Sequence, residues 1–345
     1  DLDIFYISRL KNRIITITGT NGKSTTAKLL NLILKSHKYD SRLCGNIGNP
    51  ILDEKNISEK TIFVIEASSY QIEYSKMFKS NHAIILNISP DHLERHGSIK
   101  NYVNAKFKLV KNQTNKDFAY MNTKNKYLKE KIKKSKIFSK IIDVNINGVQ
   151  NFKKKIYNPH FLTLGNQENL SFILAIGRQL NLKNKKIIEV VNKFKGLKYR
   201  QEIIYKDDKT IVINDSKATS FASAINILKS LKTVYWLVGG EFKLGDKFTL
   251  KNKECKNIKA YIFGKKNNFF IKQFHNKLSY YCFNNLRNAV KQVLIDLNKN
   301  NLKKTILFSP SAASFDNFKN FEERGEYFNY LINKYKFKKI LNDDK

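Results

Sequence analysis

The sequence predicts an α/β protein of two domains. A strand, a glycine loop and a helix follow one another near the start, and short apolar runs that end in polar residues come next. Strand and helix patterns then alternate through the second half, as in a doubly wound (Rossmann-like) parallel sheet. At 345 residues the chain exceeds one ordinary core. The expected units are 1–198, an α/β domain built on the glycine loop, and 199–345, a smaller doubly wound domain, with the site in the cleft between them.

The opening pattern is RIITITGTNGKSTT, from Arg13 to Thr26. Arg13 to Thr18 is rich in β-branched residues and predicts a buried strand, and Gly19 and Gly22 supply a tight turn. Lys23 begins a helix with apolar residues at Ala27, Leu30, Ile33 and Leu34. Backbone N–H groups at such a helix start lack intrahelical partners and face the positive end of the dipole, so the loop suits a phosphate. Lys23 adds a point charge, and Ser24 or Thr25 offers a hydroxyl for Mg²⁺. The generic P-loop has four residues between its first glycine and the Gly-Lys pair. Here only Thr20 and Asn21 intervene, so that pattern alone does not decide the matter.

Further along, Cys44 to Pro50 predicts a punctuated loop, and Thr61 to Glu66 and His82 to Asn87 predict parallel strands whose carboxyl ends face a site. Asn101 to Val110 has a helical pattern, Asp117 to Met121 suits a strand, and Lys124 to Lys140 is a lysine-rich surface stretch. Helices at Gln167 to Gln179 and Lys185 to Phe194 close the domain, and Gly196 to Arg200 is the expected hinge. Strands follow at Thr210–Asn214, Thr233–Val238, Ile258–Phe263, Tyr280–Phe283 and Thr305–Phe308, with helices near Phe221–Leu231, Leu286–Leu297 and Phe318–Lys334.

The net charge of +35 favours anionic substrates through long-range attraction. Its lysines are dispersed rather than gathered with aromatics into one stripe, so no specific nucleic-acid partner is expected. Three distant cysteines, Cys44, Cys255 and Cys282, have no metal-ligand spacing and suit reduced, structural thiols in a cytoplasmic protein. No apolar run approaches the ~18 residues of a membrane span, and no charged-then-apolar leader opens the chain.

Taken singly, the remaining candidates have plain alternatives. Glu66 could be a solvated strand end, His92 a surface or capping histidine, and Lys106 one lysine among many. Their order is more telling. GTNGKST, GNIG, EASSYQIE, NISPDHLERHG and NAKFK, followed by NDSKATS, GGEFK and SPSAASFDNFKNFEERG, resemble the Mur ligase family, and within it the D-glutamate-adding members. GTNGKST also resembles the ATP loop of the folylpolyglutamate synthases. The resemblance covers nearly the whole chain.

The resemblance implies an ATP-dependent, amide-forming ligase that adds D-glutamate to UDP-N-acetylmuramoyl-L-alanine in peptidoglycan precursor synthesis. Lys23 and the amides of Gly19, Thr20, Asn21, Gly22, Ser24 and Thr25 would hold the ATP phosphates. Ser24 and Glu66 would hold one Mg²⁺, and His92 and Lys106 a second, Lys106 as a carbamate. Asn166, Asn169, Arg200 and Asp215 would contact nucleotide, and Asn46 the UDP-linked substrate. Lys217, Thr219, Lys243, Ser314 and Phe321 would shape the D-glutamate pocket, although Asp215 could cap a helix, Ser314 form a turn and Phe321 fill a core. Two positions depart from the family pattern, where Tyr199 and Gly165 replace histidines. The family carries an amino-terminal UDP-binding domain that would end just before Asp1, so the expectation is either a fragment of a longer protein or a chain that works without that grip. The competing expectations are another ligase of the superfamily and a truncated ATP-binding module without ligase activity.

Overall fold

The computed structural model describes residues 1–243, 245–298 and 303–336. The chain forms two compact units, Asp1–Phe194 and Lys195–Lys345.

The first unit opens with α1 (Leu2–Ser8), β1 (Arg13–Thr18), α2 (Lys23–Ser36), β2 (Ser41–Gly45) and β3 (Ile62–Glu66). Then come α3 (Ser69–Tyr74), β4 (His82–Ile85), α4 (Leu93–His96), α5 (Ile99–Phe107) and β5 (Phe118–Met121). It closes with α6 (Lys126–Lys133), β6 (Lys140–Asp143), α7 (Leu164–Gln179) and α8 (Asn184–Lys193). The strands form one parallel sheet in the order β2-β3-β1-β4-β5-β6.

Each central strand is buried on both faces, which is why its sequence is a continuous apolar run rather than an alternation. Ile15, Ile17, Ile62 and Val64 meet the leucines of α2 and the apolar face of α7. Their neighbours Ile14, Phe63 and Ile65 point the other way, toward Leu2 and Phe5 of α1 and Tyr102, Val103 and Phe107 of α5.

The second unit carries β7 (Glu202–Lys206), β8 (Thr210–Asn214), α9 (Phe221–Ser230), β9 (Val234–Gly239), α10 (Asn252–Cys255) and β10 (Ile258–Phe263). It continues with α11 (Asn267–Phe274), β11 (Ser279–Phe283), α12 (Leu286–Asn298), β12 (Lys304–Phe308) and α13 (Phe321–Lys336). Its sheet order is β11-β10-β9-β12-β8-β7. One face packs Trp236, Val238 and Ile262 on Phe221, Phe270 and Phe274; the other packs Leu237, Ile306 and Phe308 on Val290, Phe328 and Leu331.

Four details differ from the sequence expectation. The second sheet is not wholly parallel, because β7 pairs antiparallel with β8 at its edge. The first two residues of the expected loop Cys44–Pro50 belong instead to β2 (Ser41–Gly45), which pairs over five residues beside β3, although SRLCG holds no β-branched residue to announce it. The final helix begins at Phe321 and not Phe318, because the Asn320 side chain accepts the Glu323 N–H and caps the first turn there. All three cysteines are free, but Cys282 is exposed on β11, so its thiol has no packing role. Among the described residues no helix is long and apolar enough to cross a membrane.

Gly165 lies in the first turn of α7, and a methyl group built on it meets nothing within 4 Å. Gly165→Ala is therefore expected to stabilise the protein by about 0.5 kcal/mol through lower unfolded-state entropy. Urea unfolding curves of the two proteins measure the difference.

Candidate active site

Because the first sheet is parallel, β1, β3 and β4 all end at one edge, and the loop 19–23 lies there. Asn87, just past β4, holds that loop from beside. Its carbonyl accepts the Thr20 N–H at 2.9 Å, its Oδ1 accepts the Asn21 N–H at 2.9 Å, and its Nδ2 donates to the Asn21 carbonyl. Gly19 passes so close that an added Cβ would lie 3.0 Å from the Leu86 Cβ. Thr20 Oγ1 accepts the Ser89 N–H and sits 3.2 Å from the Tyr102 hydroxyl.

Gly22 has φ +84°, and an added Cβ there would fall 2.1 Å from Asn169 Oδ1. Asn169 Nδ2 in turn donates to Asn166 Oδ1, and Asn166 Nδ2 to the His160 carbonyl. The structure thus brings Asn169 against the glycine loop, with Asn166 hydrogen-bonded to it. Ser24 and Thr25 are buried in the first turn of α2.

Two lysines converge on one carbonyl. Lys23 Nζ donates to the oxygens of Gly19 and Thr20, both at 2.9 Å, and Lys106 Nζ donates to Gly19 O at 3.0 Å. Lys106 is 1% exposed and lies over the Tyr102 ring, 4.6 Å from its centroid. Burial first, then the Lys23 charge, hold its pKa well below the ordinary lysine value, with Asp91 and Glu66 opposing. The result is a buried amine that holds its proton less firmly than an ordinary lysine, beside a site shaped for an anion.

Glu66 ends β3 and is 1% exposed. Its Oε1 accepts the Asn46 side-chain amide at 3.2 Å, and its Oε2 is buried with no hydrogen-bond partner. Such an orphaned acceptor is what a bound cation would satisfy. Among the described residues no group of three or more His, Cys, Asp or Glu side chains could hold a metal ion. An ion here would therefore draw on Glu66, on the Ser24 hydroxyl and on oxygens brought by a substrate. His92 has a left-handed backbone, φ +52°, and its Nδ1 lies 3.0 Å from the Tyr70 hydroxyl, with Asp91 3.5 Å from Nε2.

In the second unit, β8, β9 and β12 run parallel, so the segments after them share an edge. Asp215 follows β8 and does not cap a helix with its side chain; its carboxylate accepts from the Gln201 N–H and the Ser309 hydroxyl. Burial pushes its pKa up to about 7, against those two bonds and the Arg200 charge. Lys217 Nζ stands 3.9 Å above the centre of the Phe321 ring, which is only half-buried. Ser314 does form a turn, its carbonyl accepting the N–H groups of Asn317 and Phe318. Thr219 and Lys243 are half-buried in the same group of loops. Tyr199 has φ +60°, and its ring covers Gly325, where an added Cβ would lie 2.4 Å from Tyr199 Cδ1.

Sequence reasoning did not single out Asn87, Tyr70, Tyr102 or the buried Arg324. Asn87 alone had a visible signal, as the first polar residue after an apolar strand.

An α/β unit with this loop, orphaned carboxylate and buried lysine suits a site for a phosphate and a cation, and the comparisons give its class. Residues 17–185 match the family model described as the Mur ligase middle domain. The chain belongs to the Mur ligase family. A relative from Rickettsia bellii, named UDP-N-acetylmuramoylalanine--D-glutamate ligase, is 34% identical over 96% of this chain and 78% of its own length. Relatives of the same name from Francisella tularensis and Wolbachia pipientis are 34% and 30% identical, each over 78% of its own length. The MurF ligase of Thermotoga maritima, solved in complex with ADP, shares the fold with a TM-score of 0.69 at 14% identity, covering 96% of this chain and 84% of that one. MurF from Acinetobacter baumannii gives 0.68 at 16% identity, over 96% and 79%.

The folded-state pKa of Lys106 lies below its unfolded value, so between the two the unfolded chain binds more protons and stability rises with pH. Below the folded pKa the cost of the buried ammonium is present in full. Lys106→Met is expected to stabilise the ligand-free protein, by more at about pH 7 than at about pH 10. Urea unfolding in CO₂-free buffer at both values measures this.

Proposed function

We propose that this protein is an ATP-dependent ligase that joins D-glutamate to the alanine carboxylate of UDP-N-acetylmuramoyl-L-alanine in cytoplasmic peptidoglycan synthesis. The observation that carries this reading is the meeting of Lys23 and Lys106 on the Gly19 carbonyl beside the unpartnered Glu66 oxygen. A carboxylate is a poor electrophile, so the alanine carboxylate first takes the γ-phosphoryl of ATP, and the amine of D-glutamate then displaces phosphate from the acyl phosphate.

In this scheme the amides of residues 19–25 and the Lys23 ammonium bind the triphosphate and neutralise charge on the transferring phosphoryl. Asn166 and Asn169 pack behind the loop toward the nucleotide, and Arg200 and Asp215 serve the nucleotide from the second unit. Ser24 and Glu66 would hold one Mg²⁺, and His92 and Lys106 a second. The ions supply Lewis-acid charge stabilisation. Lys106 suits this because its lowered pKa eases loss of the ammonium proton; the free amine would then add to CO₂ with loss of a second proton, turning a group that repels Mg²⁺ when protonated into an anionic oxygen ligand. Asn46 contacts the UDP-linked substrate. Lys217, Thr219, Lys243 and Ser314 bind the carboxylates of D-glutamate, with Phe321 as a wall.

Phosphate release from Mg²⁺ and ATP is expected only when UDP-N-acetylmuramoyl-L-alanine and D-glutamate are both present. Lys23→Ala should lower it by on the order of 10²–10³-fold. Release that is stimulated instead by a folate acceptor assigns the chain to the folylpolyglutamate branch, and unchanged turnover in Lys23→Ala removes the loop from the mechanism.

A further inference from the structure

Arg324, in the first turns of α13, is 0% exposed and among the largest fully buried side chains. A buried guanidinium is costly unless its donors are satisfied, and a carboxylate is the usual partner. Here the donors go to three neutral oxygens. Nε donates to Ser216 Oγ at 3.1 Å, Nη2 to the Ser216 carbonyl at 2.7 Å and Nη1 to the Ala312 carbonyl at 3.0 Å. Asp316 acts on it only as a nearby charge.

Those oxygens belong to segments after different strands. Ser216 lies between Asp215 and Lys217 after β8, and its hydroxyl donates onward to the Phe321 carbonyl at 2.9 Å. Ala312 lies after β12, two residues before Ser314. Its neighbour Ala313 exchanges both backbone hydrogen bonds with Glu241, at 2.9 and 2.8 Å, which ties in the segment after β9 that leads to Lys243. Gly240 completes the contact: a Cβ there would come within 3.1 Å of Arg324 Nη1 and 2.6 Å of the Ala313 carbonyl. One planar fork therefore fastens the loops after β8 and β12 directly, and the Ala313–Glu241 pair ties the loop of Lys243 to the second of them.

We propose that Arg324 is a positioning residue for the amino-acid pocket, holding the loops of Lys217, Lys243 and Ser314 in one register without touching the substrate. The proposal rests on the ligase reading. A lysine would keep the charge but not the fork, since an ammonium is a point donor that cannot reach the separated Ser216 and Ala312 oxygens in one plane.

The test compares wild type with Arg324→Lys and the milder Ser216→Ala, which removes the hydroxyl linking Arg324 to Phe321. The KM for D-glutamate should rise on the order of ten- to a hundredfold in Arg324→Lys, and less in Ser216→Ala, while the KM for ATP changes less than about twofold. Amide hydrogen exchange should accelerate together at 216–220, 239–243 and 312–314, with the strands unchanged. Equal losses toward all substrates, or faster exchange with an unaltered D-glutamate KM in either variant, overturns the positioning role. A wild-type chain whose phosphate release ignores D-glutamate overturns the ligase reading, and the proposal with it. If Arg324→Lys does not fold, Ser216→Ala decides: a selective rise in the D-glutamate KM supports the role, and no rise overturns it.

Discussion

Two lysine Nζ groups aimed at one carbonyl oxygen are the constraint on which the first unit depends. Lys23 and Lys106 both donate to Gly19 O, one from the start of a helix and one from almost complete burial. Like charges at this range repel strongly where water is scarce, and the depressed pKa of Lys106 registers that repulsion together with its burial. The arrangement stores unfavourable electrostatics that a polyphosphate, or conversion of the amine to an anion, would relieve. The surrounding structure keeps the two lysines in place: Asn87 fastens the loop from the next strand, and Asn169 closes the space over Gly22.

The second unit uses the same architecture for a different purpose. It also places its polar loops at the carboxyl ends of parallel strands, where a doubly wound sheet leaves a crevice. Asp296 of this unit pairs with Lys259 at 2.8 Å, but the buried charges near these loops, Asp215 and Arg324, hold backbone rather than face each other. Asp215 gathers a backbone amide and a hydroxyl, and Arg324 gathers carbonyls from two loops. Burial moves both toward neutrality, Asp215 upward to about 7 and Arg324 downward to about 10. These networks fix the loops firmly, while the side chains of Lys217 and Phe321 stay half-buried and accessible at the crevice.

Much of the fold was legible because doubly buried strands declare themselves as β-branched runs. RIITIT, TIFVIE and TIVIN each became a strand within one residue of the expected limits. Of the four edge strands only β11 was expected, at Tyr280–Phe283; the other three were not legible, because edge residues need not be apolar on both faces. SRLCG and KIID lie at opposite edges of the first sheet, and the antiparallel EIIYK lies where a hinge was expected to lead directly into the second. The glycine loop and Glu66 were visible from local pattern. Lys106 was not, in a chain with 64 lysines and arginines, and only its place in an ordered series of motifs distinguished it. Arg324 escaped notice because FEERG resembles a solvated helix start, and its burial is set by loops about 110 residues away in sequence.

The central claim is that the glycine loop holds a triphosphate, and binding of a non-hydrolysable ATP analogue to wild type and Gly22→Ala tests it most directly. A Cβ at Gly22 has a disfavoured backbone angle and would meet the Asn169 side chain, so it distorts the loop that presents the amides. Calorimetric titration should give saturable, Mg²⁺-dependent binding to wild type and at least about tenfold weaker binding to the variant. Equal affinity in a folded Gly22→Ala protein, or no binding to wild type, would contradict the account.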